Sequence, residues 1–148
     1  MTERRPGKVE AGFPSGRATI QKPLGLIAGG GDLPRAVAES VKEAGGDVFV
    51  VGLRGLCGTW AESFSNEWVS LGEPGRALKA LKAANADRVL LAGRVDRPKF
   101  GELKLDTRGL LVMPKVLMAA RQGDDALLRL LVDLFEEEGF RVLGVAEA

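Results

Sequence analysis

Apolar and polar positions follow one another along the chain in blocks that predict a strand and then a helix, repeated five times. Short apolar runs typical of strands buried on both faces occupy 24–28, 47–53, 68–71, 87–92 and 140–145. Between them, helices are predicted to begin at Pro34 and Pro74, because proline suits the first helical turn. Two further helices are predicted at 113–122 and 124–138, and loops at 54–60 and 94–108.

This alternation predicts an α/β fold, a Rossmann-like doubly wound parallel sheet of about five strands with helices on both faces. The expected strand order is 3-2-1-4-5, which makes the first and fourth strands neighbours where the winding direction changes. Ligands bind such sheets outside the carboxyl ends of the strands at that point. The segments that follow the first and fourth strands are therefore the predicted site.

The segment after the first strand is rich in glycine, and it reads Gly29-Gly30-Gly31-Asp32-Leu33-Pro34. Glycines let a phosphate approach the backbone, and the helix start beyond them offers free N–H groups. Pro34 replaces the third glycine of the dinucleotide-binding pattern, and no acidic residue ends the second strand, which disfavours NAD. Arg54 lies at that position and could bind an extra phosphate, so an NADP-type dinucleotide-binding module is an alternative. A second alternative is that the glycine segment is a tight turn that binds no ligand.

The segment after the fourth strand begins Gly93-Arg94-Val95 and continues to Arg97. Two arginines beside a glycine predict a clamp for a phosphate or pyrophosphate, since a guanidinium pairs bidentately with such oxygens. The alternative is a solvated loop in which Arg97 pairs with a nearby aspartate.

A third candidate is Gly123-Asp124-Asp125, which opens the last predicted helix. Aspartate at a helix start favours the helix dipole and caps free N–H groups, and this interpretation is preferred. The other is a paired-carboxylate metal site, for which no third ligand is evident nearby.

Composition excludes several classes of function. The 148 residues contain no histidine and one cysteine, Cys57, so histidine-dependent catalysis, histidine-ligated metals and an intramolecular disulfide are excluded. Basic and acidic residues nearly balance, at 21 and 20, and aromatics are 5%, which disfavours a nucleic-acid partner. Residues 1–22 hold five basic and two acidic residues without an apolar stretch, which predicts a disordered basic tail before one domain at 23–148.

Three segments, taken together and in order, resemble the N-terminal half of the LpxI-type UDP-2,3-diacylglucosamine pyrophosphatases. They are LGLIAGGGDLP (24–34), LGEPGRALKALKAANADRVLLAGRVDRPKF (71–100) and DTRGLLVMPKVLMAARQGDDALLRLLVDLFEEEGF (106–140). No residue of this chain is assigned as catalytic or metal-binding. The chain alone is not expected to bind a cofactor. The candidate substrate-binding residues are Gly29, Gly30, Gly31, Leu33, Pro34, Gly72, Gly93, Arg94, Val95, Arg97, Gly123, Asp124 and Asp125.

The resemblance implies an enzyme of lipid A biosynthesis that hydrolyses UDP-2,3-diacylglucosamine to lipid X (2,3-diacylglucosamine 1-phosphate) and UMP. It further implies Mg²⁺ or another divalent cation, a C-terminal domain that carries the catalytic and metal chemistry, and a homodimer of the intact protein. The implied location is cytoplasmic and compatible with the inner-membrane surface. We therefore expect this chain alone to be inactive.

Overall fold

A computed structural model describes residues 22–95 and 103–146 of the chain, so the predicted tail lies almost wholly outside the described residues. The strands are β1 (Leu24–Ala28), β2 (Val48–Leu53), β3 (Ser65–Val69), β4 (Arg88–Ala92) and β5 (Arg141–Ala146). The α-helices are α1 (Leu33–Glu43), α2 (Pro74–Ala83), α3 (Thr107–Gln122) and α4 (Asp124–Glu137), and a short 3₁₀ helix spans Thr59–Ser63. All the strand pairs are parallel, in the order β3-β2-β1-β4-β5, which confirms the predicted fold class and order.

The central strands are apolar on both faces because helices cover both faces of the sheet. On one side Ile27 and Val51 join a cluster with Leu81 of α2 and Phe135 of α4. On the other side, a second cluster is formed mainly by small and β-branched residues. Its fully buried members include Leu26, Val50, Ala38 of α1 and Ala61 of the 3₁₀ helix. Within the described residues, no helix is long and apolar enough to span a membrane.

The third strand was predicted at 68–71, but β3 begins at Ser65 and ends at Val69. It lies at the edge of the sheet, where it pairs with β2 alone. An edge strand with one partner does not need an apolar run, and Asn66 and Glu67 are only partly buried. The apolar pattern therefore predicts only the end of β3 and omits its polar first residues.

The helix predicted at 113–122 begins six residues earlier, at Thr107. The six residues before 113 were included in the predicted loop at 94–108 or left unassigned, and Pro114 lies inside the helix rather than in its first turn. The actual start is set by Asp106, whose side chain accepts a hydrogen bond from the backbone N–H of Gly109 at 2.7 Å. The second carboxylate oxygen of Asp106 accepts from the N–H of Arg76 in α2 at 2.8 Å. One carboxylate therefore caps two helices.

Glu138, directly after α4, ties that helix to the two others on its face of the sheet. Its carboxylate accepts hydrogen bonds from Lys82 at 2.6 Å and from Arg108 at 2.8 Å. The bond from Lys82, then the bond from Arg108, lower the pKa of the Glu138 carboxyl, because each stabilises its charged form.

The lowered pKa predicts a pH-dependent contribution of Glu138 to stability. The contribution is fully present above the pKa of a glutamate in the unfolded chain, about 4.3. It is lost as the pH falls through the lower pKa that Glu138 has in the folded chain. We expect Glu138→Gln to lower the free energy of unfolding at pH 7, with a difference from the wild type that shrinks on acidification. Urea unfolding at several pH values measures this, with Glu136→Gln as the control. A deficit that stays constant into acid would contradict the prediction.

Candidate functional site

The segments that follow β1 and β4 meet, as the strand order predicts. The N–H of Gly30 donates to the carbonyl of Arg94 at 2.8 Å, and the N–H of Arg94 donates to the carbonyl of Gly30 at 2.9 Å. The N–H of Gly29 donates to the carbonyl of Ala92 at 2.9 Å. These bonds extend the pairing of β1 and β4 beyond the strands, and they fix the two loops as one unit. We call Gly29–Gly31 and Gly93–Arg94 together the switch-point loops.

Close backbone contact explains two glycines of the switch-point loops without any ligand. A Cβ added to Gly29 would lie 2.5 Å from the Arg94 carbonyl oxygen, closer than any real contact. Gly93 has φ of +98°, and its added Cβ would lie 2.7 Å from both the Gly30 oxygen and the Pro34 ring. The tight-turn interpretation therefore has direct support at Gly29 and Gly93.

Gly30 is less crowded than Gly29 and Gly93. A Cβ added to Gly30 would meet its nearest neighbours, Nη2 of Arg94 and the Leu56 carbonyl oxygen, at 3.4 Å. The Arg94 guanidinium and the loop after β2 therefore both lie close to Gly30. Gly31 has φ of +90°, a conformation that glycine adopts without strain. Gly30 is buried, whereas Gly31 and Arg94 are exposed, so Gly31 and Arg94 form the surface that an anionic group can reach.

Helix α1 begins directly behind these glycines. Pro34 is buried in its first turn, and Leu33 is its first residue. Asp32 occupies the N-cap position but makes no side-chain capping bond to the helix. Its carboxylate therefore does not satisfy the N–H groups of the first turn, which carry the positive end of the helix dipole.

The other predicted positions lie in three places. Val95 is half-exposed beside Gly29, whereas Arg97 lies outside the described residues. Gly72 follows β3 and packs against the segment before α3, where its carbonyl accepts from the N–H of Asp106. Gly123 joins α3 to α4.

Asp124 and Asp125 stand in the first turn of α4 and not at its N-cap, where the preferred interpretation expects a capping aspartate. Their position favours the helix dipole, although the N-cap residue itself is Gly123, with φ of +125°. Among residues 22–95 and 103–146, no three acidic or cysteine side chains come together as metal ligands. The described donor set therefore does not fit a divalent cation.

Two contributors to this edge of the sheet were not singled out from the sequence. The sequence places Leu56 and Asp106 only within the loops predicted at 54–60 and 94–108. Leu56 carries no chemical signal, since its backbone makes the contact. Asp106 carried one: an aspartate three residues before Gly109 and ahead of an apolar run is typical of an N-cap.

Cys57 lies in the loop after β2, where burial raises the pKa of its thiol to about 11. At neutral pH the thiol is therefore protonated and a poor nucleophile, in keeping with the absence of histidine from the chain. We expect alkylation of the native chain by iodoacetamide to accelerate up to about pH 11. At pH 8 it should be roughly 100-fold slower than in the urea-unfolded chain. A native rate that levels off near pH 8.5 would contradict this.

A separate cavity of about 580 Å³ opens at the amino-terminal ends of β1, β2 and β3, among the first residues of β2 and β3 and residues that come before these strands. It is lined by Pro23, Lys42, Phe49, Phe64 and Ser65, among others. Lys42 and Asp47 in its wall form an ion pair at 3.7 Å. This cavity contains none of the predicted site residues, and it lies at the amino ends of the strands rather than at the switch-point loops.

Comparison with known proteins shows the family to which the chain belongs. Residues 23–148 match the family model described as the LpxI N-terminal domain. The chain belongs to the LpxI N-terminal domain family. This LpxI N-terminal domain is also 46% identical over 124 residues to the UDP-2,3-diacylglucosamine pyrophosphatase LpxI of Caulobacter vibrioides. The alignment covers 84% of this chain and 44% of that relative, so the chain spans less than half the relative's length.

Membership of the LpxI N-terminal domain family confirms the resemblance carried by the three sequence segments. The matched family is described as an LpxI N-terminal domain and not as a free-standing dinucleotide module, the alternative left open by the sequence. Arg54, which kept that alternative open, donates from Nη2 to the carbonyl of Trp68 in the edge strand at 3.5 Å.

Proposed function

We propose that this LpxI N-terminal domain is the substrate-binding half of an enzyme of lipid A biosynthesis. The intact enzyme hydrolyses UDP-2,3-diacylglucosamine to lipid X and UMP. The 46% identity to a protein named for this activity supports the proposal. The arrangement of residues at the switch-point loops supports a substrate-binding site there. The exposed Arg94, whose guanidinium lies close to Gly30, and the exposed Gly31 provide a cationic position at the carboxyl ends of β1 and β4.

The contribution of this domain to the reaction is binding and orientation. Hydrolysis adds water across the pyrophosphate, so that one P–O bond forms and the bridging P–O bond breaks. Both phosphoryl groups carry negative charge. The backbone of Arg94 is fixed by two hydrogen bonds to Gly30, so its guanidinium can bind one phosphoryl group while the other is attacked. The exposed Gly31 allows that phosphoryl group to approach the main chain.

The catalytic chemistry belongs, in this proposal, to a C-terminal domain of the intact enzyme. The described residues do not make a ligand set for Mg²⁺, so the divalent cation would be held by that second domain. The intact protein would be a cytoplasmic homodimer that reaches a lipid substrate at the inner-membrane surface, without a nucleic-acid partner. The 148-residue chain alone would bind without turnover.

Replacement of Arg94 tests the proposal. A hydrogen bond to a charged group contributes about 1.5–3 kcal/mol, so Arg94→Ala should weaken binding of a short-acyl, water-soluble lipid X by roughly 10- to 150-fold. Arg94→Lys should restore binding only in part, because lysine lacks the planar fork. Titration calorimetry or fluorescence measures the affinities.

The matched control is Arg88→Ala at the amino end of β4, where Arg88 donates to the Lys22 carbonyl at 2.8 Å. Its affinity should equal that of the wild type. Equal affinities for the wild type, Arg94→Ala and Arg88→Ala would remove the phosphate-binding role of Arg94.

A further inference from the structure

Helix α3 presents large apolar side chains to solvent, unlike the rest of the described surface. Seven large apolar residues are exposed among the described residues, and four of them belong to α3. These four are Leu110 (65% exposed), Leu111 (70%), Leu117 (45%) and Met118 (65%). Residues seven apart lie two turns apart on the same side of a helix, so the pairs 110/117 and 111/118 form one outward stripe. We call these four residues the α3 outer face.

The charged residues exposed on α3 differ from those exposed on the neighbouring helix α4. No acidic residue occurs within α3, whereas Lys115 and Arg121 are exposed on it. The neighbouring helix α4, packed alongside, has the opposite character. Its exposed residues are Asp124, Asp125, Arg129, Asp133, Glu136 and Glu137. One helical pair therefore carries a basic and apolar outer surface on α3 and an acidic one on α4.

We propose that the α3 outer face is a docking surface for an anionic lipid bilayer. This inference rests on the proposed function, because a substrate with two acyl chains resides in a membrane and must be collected there. An amphipathic helix with leucine and methionine on one face, flanked by lysine and arginine, lies in the interfacial plane of a bilayer. The apolar side chains enter the acyl boundary while Lys115 and Arg121 meet lipid phosphates.

The charges also orient the molecule on the bilayer and favour lipid over a second copy of the chain. The acidic surface of α4 is repelled by anionic lipid, so α3 faces the membrane and α4 turns away. A symmetric dimer through the α3 outer face would bring the same patch against itself. Lys115 and Arg121 of one copy would then lie near the like charges of the other, which is unfavourable. An anionic bilayer satisfies both the apolar and the cationic side chains.

Vesicle flotation with the 148-residue chain tests the proposal. The probes are vesicles of phosphatidylethanolamine with phosphatidylglycerol, and vesicles of phosphatidylcholine alone. We expect binding to the anionic vesicles that weakens with added salt. The double variant Leu111→Gln, Met118→Gln should lower the partition coefficient by about tenfold or more. Lys115→Gln should lower it about fivefold.

Matched controls separate the α3 outer face from general apolarity and charge. Leu143→Gln changes an exposed leucine of β5, and Lys79→Gln changes an exposed lysine of α2. Both should bind as the wild type does. All variants keep residues 1–22, so the charge of that segment is constant throughout. Melting temperatures verify folding, which the exposure of Leu111 and Met118 should preserve.

The outcomes are distinct from those of the proposed function. Absence of binding to the anionic vesicles, or equal losses in the α3 variants and in their controls, would overturn the docking surface. Sedimentation velocity in which the wild type is a dimer and the double variant a monomer would overturn it in favour of self-association. Failure of the proposed function appears instead as an unchanged lipid X affinity in Arg94→Ala, which vesicle binding through α3 does not affect.

Discussion

Gly29→Val is expected to lower the free energy of unfolding by about 3 kcal/mol or more, the upper end of the range for overpacked sites. Its Cβ alone would lie 2.5 Å from the Arg94 carbonyl oxygen and 3.2 Å from a methyl group of Val95. The opposing group is backbone held by the reciprocal bonds between Gly30 and Arg94, so it cannot move aside without breaking the contact between the switch-point loops. Urea unfolding followed by circular dichroism measures the loss.

The neighbouring glycine is the matched control. At Gly30 the nearest atoms to an added Cβ are 3.4 Å away, and one of them is the mobile end of Arg94. Gly30→Ala should therefore change stability by less than about 1 kcal/mol while it weakens lipid X binding. Equal destabilisation at both positions would mean that the segment is a structural turn throughout.

The second large effect is expected at Asp106, whose carboxylate caps α2 and α3 together. Asp106→Ala leaves the N–H groups of Arg76 and Gly109 without this partner, which should lower the free energy of unfolding by roughly 2–4 kcal/mol. Asp106→Asn keeps one carbonyl oxygen and should lose about half as much. Thermal or urea unfolding measures both variants.

Asp87→Ala is the control for a surface carboxylate. Asp87 pairs with Arg88 at 3.5 Å in an exposed position, and such pairs contribute about 0–1 kcal/mol. A loss at Asp106 no larger than the loss at Asp87 would refute the shared cap.

The central part of the sheet was predictable because its residues obey one local rule. Strands β1, β2 and β4 are covered on both faces, so they are continuous apolar runs that end at glycine or a charged residue. Once five strand–helix repeats are recognised, right-handed crossovers leave few possible strand orders. The contact between the segments after β1 and β4 follows from that order.

The errors arose where distant residues decide the local structure. The polar start of β3 forms a strand because its backbone pairs with β2, which precedes it in the chain. The start of α3 is set by Asp106, which also bonds Arg76, thirty residues away in the chain. The apolar pattern of a single segment contains neither contact, so it predicts the helix only from residue 113.

The candidate site was predictable only in part for the same reason. The position of Arg94 beside Gly30 follows from the strand order, because the carboxyl ends of neighbouring parallel strands share one edge. The strand order does not show which of the glycines is required by close backbone contact. Gly29 is required by a carbonyl 65 residues later in the chain, and only the folded backbone reveals that distance.

The central claim, that the switch-point loops bind the phosphate of the substrate, is tested most directly by locating lipid X on the domain. Two-dimensional ¹⁵N NMR of the 148-residue chain, titrated with short-acyl lipid X, reports each backbone N–H separately. The account predicts the largest shifts at Gly30, Gly31 and Arg94, and their loss in Arg94→Ala. Shifts confined to Lys42, Phe49 and Ser65 at the opposite edge of the sheet, or no shifts at saturating concentration, would contradict it.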